Sequence, residues 1–114
     1  MQVQSNEIDG IIVLQVSGKI MGGPEAGQIN DKIHELIEAG KTKLVIDMSA
    51  LELMNSSGLG IFIGAVNTLK SNNGRLVMAN VPERIQQLFK MTRLISIFTI
   101  TESVEQAIDI LKTA

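Results

Sequence analysis

Two strongly apolar segments are separated near the middle of the chain by the polar and small residues LMNSSGLG, residues 53–60. Upstream, residues 43–47 (KLVID) have the composition of a short buried strand, and downstream residues 59–70 predict an apolar helix. Residues 55–57 (Asn-Ser-Ser) favour a helix start, because their side-chain oxygens can accept hydrogen bonds from the first unpaired backbone N–H groups. The helix dipole also favours negative charge there. Each serine hydroxyl is therefore a candidate helix cap or phosphate acceptor.

The composition excludes several classes of function. The 114 residues contain no cysteine and one histidine, His34, so disulfides, thiolate sites and multi-histidine metal sites are excluded. A net charge of −2 argues against nucleic acid as a partner. Only three aromatic residues are present, Phe62, Phe89 and Phe98, which disfavours base stacking and aromatic cages. These exclusions favour a protein partner over a small molecule or a cofactor.

The length and the hydropathy pattern predict a single domain over residues 1–114, with enough apolar residues for a core. No apolar run approaches the roughly 20 residues needed to span a bilayer, so we expect no membrane insertion. The first seven residues lack the basic start and apolar stretch of a secretory signal. We therefore expect a cytosolic protein.

The first third of the chain predicts a hairpin and a helix. Asp9-Gly10 separates two β-rich runs, residues 3–8 and 11–16, and the polar first run predicts an edge strand beside a buried second strand. Residues 18–23 predict a loop. Pro24 suits the first position of a helix that Gly40 ends.

The later segments predict alternating helices and strands. Residues 48–54 are too irregular to assign, whereas residues 75–79 predict a strand and Pro82 opens a short helix. Residues 94–101 predict a further strand, and residues 102–111 the last helix, with Thr101 as a candidate cap. The predicted fold class is α/β, a mixed sheet of about five strands with about four helices in the order β-β-α-β-α-β-α-β-α.

Catalytic chemistry is not indicated. Gly58, Gly60 and Gly64 miss the dinucleotide-binding spacing by one residue, and no Gly-Lys-Ser/Thr follows for a phosphate loop. Ser56 and Ser57 lack a nearby base, since His34 is distant in sequence and is expected to be a structural or solvated histidine. Asp47 is the best single acid, and a structural role in binding nearby loop amides is favoured over a functional one. We expect neither an enzyme nor a metal or cofactor site.

The residues do carry a family resemblance. Residues 45–49 (VIDMS), followed by residues 55–60 (NSSGLG), closely resemble the signature of STAS domains of the bacterial anti-sigma factor antagonist family. The similarity extends to Gly18, Gly74 and residues 84–89. In this family the first serine of an Asp-Ser-Ser/Thr-Gly motif is phosphorylated by an anti-sigma factor that is also a serine kinase. The resemblance places that acceptor at Ser56, with Ser57 as the alternative.

The resemblance implies a partner-switching regulator with the STAS fold. The unphosphorylated antagonist binds the anti-sigma factor and frees the sigma factor, phosphorylation abolishes this binding, and a serine phosphatase restores it. We expect a monomer or weak dimer with a partner-binding surface around the motif, formed by Met21, Met54, Asn55, Ser56, Ser57 and Gly58.

Two positions depart from the family pattern. Asn55 and Met21 stand where antagonists have aspartate, which removes charge beside the acceptor. An alternative is therefore an unphosphorylated STAS scaffold or accessory subunit of a transport or sensory complex. A third hypothesis is a nucleotide or small-ligand sensor at the glycine-rich helix start.

Overall fold

A computed structural model describes residues 1–113 and shows alternating strands and helices around one five-stranded sheet. The elements are β1 (Gln2–Ile8), β2 (Ile11–Ile20), α1 (Pro24–Glu38), β3 (Lys43–Met54), α2 (Ser56–Ser71), β4 (Arg75–Ala79), α3 (Glu83–Met91), a short 3-10 helix (Ile95–Ile97), β5 (Thr99–Thr101) and α4 (Val104–Lys112). This order confirms the α/β fold predicted from the sequence. The predicted domain range ended at Ala114, which lies outside the described residues.

The strands lie in the sheet in their sequence order. β1 and β2 are antiparallel and are joined by Asp9 and Gly10, whose φ angles of 54° and 80° match the two-residue turns that suit the twist of a hairpin. The remaining neighbours are parallel and are connected by helices. β1 is therefore an edge strand, as its polar sequence predicted.

The sheet is covered on both faces. Alternate residues of β2 point to opposite sides, so that Ile12 and Leu14 join the core beneath α1, α2 and α3, whereas Ile11 and Val13 join a smaller core beneath α4. All four side chains are buried. This arrangement explains the continuous apolar run at residues 11–14. Within residues 1–113, no helix combines the length and apolar character needed to cross a membrane.

Two segments near the motif were predicted incompletely. The sequence predicts a loop at residues 18–20 and no regular element at residues 48–54. In the structure these residues extend β2 and β3, and Ile20 pairs with Met54. The register between these strands shifts twice, at Gln15/Ser17 and at Gly18/Lys19. Such irregularities break the alternation of buried and exposed residues that sequence analysis relies on.

Two predictions near the carboxyl terminus were also wrong in part. Of the strand predicted at residues 94–101, only Thr99–Thr101 form one, because α3 is followed by a tight turn and the 3-10 helix. Phe98 stacks on Phe89 of α3, with ring centroids 5.0 Å apart. The cap of α4 is Ser103, whose hydroxyl accepts from the Gln106 N–H at 3.1 Å. The Thr101 hydroxyl donates to backbone carbonyls instead.

Candidate functional site

The predicted motif lies where two adjacent parallel strands end. β2 ends at Ile20 and β3 ends at the paired residue Met54. Residues 21–23, which we call the β2–α1 loop, therefore leave the sheet beside the amino terminus of α2. In open α/β sheets, binding sites form at this edge, beyond the carboxyl ends of the strands.

Asn55 is the cap of α2. Its backbone is extended, with φ −107° and ψ −177°, and its Oδ1 accepts a hydrogen bond from the Gly58 N–H at 2.8 Å. This confirms the prediction that Asn55 could start the helix. The prediction that Ser57 is a cap is wrong, because Ser57 is already the second helical residue and lies beyond the cap position.

The same side chain joins the helix to the β2–α1 loop. Asn55 Nδ2 donates to the Met21 carbonyl at 3.2 Å, and the Asn55 backbone N–H donates to the Ile20 carbonyl at 3.3 Å. The Met21 N–H is held from the other side by Glu25 Oε2, at 2.7 Å. Both backbone groups of Met21 are thereby hydrogen-bonded, although the residue as a whole is 45% exposed.

Two glycines allow this close packing. A Cβ at Gly58 would collide with the carbonyl oxygen of Ile20. Gly22 has a φ of +97°, and a Cβ there would lie 2.9 Å from Ser57 Cβ. Side chains at these two positions would push the helix and the loop apart, so the motif glycine Gly58 has a steric role.

The predicted surface residues separate into exposed and buried groups. Ser56 and Ser57 are exposed and Asn55 is partly exposed. Met54 is only 6% exposed and Gly58 is buried, so a partner contact by these two residues stays a prediction. Met54 is apolar and belongs to the larger hydrophobic core.

The first turn of α2 carries no charged side chain of its own. No acidic side chain lies there, and the basic residue of the helix, Lys70, lies in the last turn. Within residues 1–113, the hydroxyl groups of Ser56 and Ser57 have no hydrogen-bond partner. The first N–H groups of a helix carry partial positive charge and lack partners within the helix. This end of α2 therefore favours an anion.

Other candidate groups have structural roles. Asp47 Oδ1 accepts from the Ser49 N–H at 3.0 Å and from Asn80 Nδ2 at 3.1 Å, which confirms the structural interpretation of this acid. His34 is exposed on α1. Across residues 1–113, no three His, Cys, Asp or Glu side chains come together as a metal site would require.

Charge at the opposite end of the sheet is unrelated to the motif. Lys112 Nζ lies 2.9 Å from Asp9 Oδ2, and this hydrogen bond, together with the charge of Asp9, raises the pKa of Lys112. This ion pair links the end of α4 to the β1–β2 turn.

Two contacts at the site were not predicted from the sequence. One is the bond from the Met21 N–H to Glu25, and the other is the bond from Asn55 to Met21, which joins residues 34 positions apart. Glu25 directly follows Gly-Gly-Pro, and an acid in the first turn of a helix was the available signal for a contact with neighbouring backbone amides.

Comparisons with known proteins agree with this architecture. The profile described as "STAS domain" matches residues 2–107. The anti-sigma-B factor antagonist of Bacillus subtilis is 33% identical over 103 residues, which cover 90% of this chain and 91% of that protein.

Solved structures share the fold. Unphosphorylated SpoIIAA, an anti-sigma factor antagonist, superposes with a TM-score of 0.75 at 22% identity, covering 99% of this chain and 100% of that chain. The phosphorylated Bacillus SpoIIAA gives 0.71 at 24% identity, over 95% and 97% of the two chains. The murine anion transporter Slc26a9 gives 0.76 at 13% identity, over 96% of this chain and 19% of the transporter. The matched profile and the Bacillus subtilis relative show that this chain belongs to the STAS domain family, among the anti-sigma factor antagonists.

Proposed function

We propose that this protein is a non-catalytic partner-switching regulator in the bacterial cytoplasm. In its unphosphorylated form it binds an anti-sigma factor and thereby releases a sigma factor. A serine kinase activity of the anti-sigma factor phosphorylates it and ends the binding, and a serine phosphatase restores it. Membership of the antagonist family supports the general role, and the geometry around Ser56 supports the switch.

The proposed binding surface consists of the exposed residues around the helix start: Met21, Asn55, Ser56 and Ser57. These side chains are neutral, and Met21 contributes a flexible apolar group of the kind that adapts to a protein partner. Because the β2–α1 loop is hydrogen-bonded to α2, a partner would meet the loop and the helix start as one surface.

Ser56 is the proposed phosphate acceptor. The observation that carries this assignment is its position as the exposed first residue of α2, with no acidic side chain in the first turn. Ser57 is exposed too, but its Cβ lies against Gly22 of the β2–α1 loop. A kinase would therefore approach Ser56 with less obstruction than Ser57.

A phosphate on Ser56 would change the surface without unfolding the domain. It brings about −1.5 to −2 charges and a strongly bound hydration shell to a surface whose proposed contact side chains are neutral. The adjacent helix N–H groups can stabilise this charge within the domain. A partner that buries the same surface would have to desolvate the phosphate, so its affinity would fall.

The test is phosphorylation in vitro. The protein and its Ser56→Ala, Ser57→Ala and Ser71→Ala variants would be incubated with ATP and the anti-sigma factor kinase of the same organism, and their masses measured. Ser71, exposed at the last position of α2, is the matched control. We expect a gain of one phosphate in every chain except Ser56→Ala.

The outcomes separate the hypotheses. Phosphate retained by Ser56→Ala and lost from Ser57→Ala would move the acceptor to Ser57. A wild-type chain that binds the anti-sigma factor without gaining phosphate would contradict the switch and favour the unphosphorylated scaffold.

A further inference from the structure

The Asn55 side chain makes two hydrogen bonds in opposite directions, which we call the Asn55 bridge. Its Oδ1 accepts from the Gly58 N–H at 2.8 Å, and its Nδ2 donates to the Met21 carbonyl at 3.2 Å. Only one orientation of the amide satisfies both partners. In a rotated amide the NH₂ group would face the Gly58 N–H and the oxygen would face the Met21 carbonyl, so neither bond could form. The bridge thus needs one donor and one acceptor on a single short side chain.

Neither aspartate nor serine can form this bridge. An ionised aspartate accepts hydrogen bonds only, so it would cap α2 but repel the Met21 carbonyl. A serine hydroxyl that caps the helix is too short to span both groups. Asparagine, aspartate and serine are nevertheless nearly equivalent as helix caps. The second bond of Asn55 therefore has a role beyond starting the helix.

The bridge acts on a residue with an exposed side chain. The Met21 carbonyl is held by Asn55, its N–H is held by Glu25 at 2.7 Å, and the residue as a whole remains 45% exposed. The following residues, Gly22 and Gly23, both have positive φ angles, of 97° and 69°. Glycines give a chain many alternative conformations, so the loop needs such bonds to keep one of them.

We propose that Asn55 is a positioning residue that fixes Met21 for contact with the protein partner, an inference that rests on the proposed function. The partner meets an apolar side chain whose backbone is already ordered. It therefore does not have to order the β2–α1 loop on binding, which would otherwise reduce affinity.

The first measurement needs no partner. Backbone order of residues 21–23 would be recorded by ¹⁵N heteronuclear NOE in the wild type and in Asn55→Asp, Asn55→Ser and Asn67→Asp. The last variant places the same negative charge on the exposed face of α2, away from the loop. We expect lower order in both Asn55 variants and an unchanged loop in Asn67→Asp. Both Asn55 variants should stay folded, with melting temperatures only a few degrees below that of the wild type, because the Met21 carbonyl loses its partner.

The second measurement is affinity for the anti-sigma factor, by calorimetry with unphosphorylated protein. We expect affinity to fall about tenfold in Asn55→Asp and Asn55→Ser, which corresponds to about 1.4 kcal/mol. Met21→Ala keeps the backbone carbonyl, so it should weaken binding while the loop stays ordered.

Three results would decide against the proposal or its basis. An ordered loop in both Asn55 variants, or a disordered loop with unchanged affinity, would overturn the positioning role. Failure of the wild type to bind any anti-sigma factor would contradict the proposed function instead, and the loop measurement would still test the bridge.

Discussion

The amino termini of α2 and α4 are capped in the same way but differ in their surroundings. Asn55 accepts from the Gly58 N–H, and Ser103 accepts from the Gln106 N–H. At α4 the chain itself supplies both a negative charge and a further hydrogen bond at the helix start. Glu105 lies in the first turn, and Gln106 Oε1 accepts from the Glu102 N–H at 3.0 Å. At α2 the first turn has no acid, and two serines are exposed.

The difference shows how a serine's position determines its availability. Ser103, as a cap, uses its hydroxyl oxygen within the helix start, and only part of its surface is exposed. Ser56 is the first helical residue of α2, one position after the cap Asn55. Its hydroxyl is therefore not used in capping and stays exposed. One helix start is completed by the chain itself, whereas the other retains its attraction for an anion.

The largest expected effect comes from the close contact of Gly58 beneath the start of α2. Gly58→Ala should lower the free energy of unfolding by about 3 kcal/mol, because its Cβ would collide with the Ile20 carbonyl. Gly60→Ala, two residues further along the same helix, meets nothing within 4 Å and should raise stability by about 0.5–1 kcal/mol. Urea denaturation measures both. Equal effects of the two substitutions on stability would show that the contact between Gly58 and the Ile20 carbonyl does not exclude a side chain.

The two caps should differ in magnitude. Ser103→Ala should cost about 1 kcal/mol, the usual loss for a helix cap. Asn55→Ala should cost about 2 kcal/mol, because the Met21 carbonyl also loses its partner. Chemical denaturation of the two variants would test this. A larger loss for Ser103→Ala would contradict the greater role given to Asn55.

The smallest effect concerns charge at the two helix starts. Ser56→Asp should stabilise the protein by about 0.3–1 kcal/mol at low salt, since it supplies the acid that the first turn of α2 lacks. Glu105→Gln should destabilise by a similar amount at α4. Both changes in stability should become smaller in high salt, because salt screens the interaction of these charges with the helix. A salt-independent loss of stability in Ser56→Asp would argue against an anion-favouring site.

The sequence was sufficient for the parts of the fold that depend on local pattern. The apolar run at residues 11–14, the Asp9-Gly10 turn and the helical spacing after Pro24 predicted the hairpin, the buried strand and α1. The irregular pairing of β2 with β3 was not predictable, because two register shifts disturb the alternation of side chains. The 3-10 helix at Ile95–Ile97 was missed for a similar reason: its apolar residues match a strand equally well.

The site was predictable in position but not in its connections. The polar break at residues 55–57 identified the helix start, and Asn55 was recognised as a candidate cap. Its bond to Met21 depends on how the loop after β2 folds back, which no local pattern encodes. The burial of Met54 likewise follows from its pairing with Ile20 at the strand ends, and composition alone gave no indication of it.

The contact between Gly58 and the Ile20 carbonyl leaves the start of α2 no room to move toward the sheet. Under the proposed function, a phosphate on Ser56 would thus be added to a fixed backbone. The two forms of the protein would have nearly the same shape and differ in surface potential. A partner would distinguish them by charge, and the signal would be transmitted as fast as the phosphate is added or removed, with no slower conformational step.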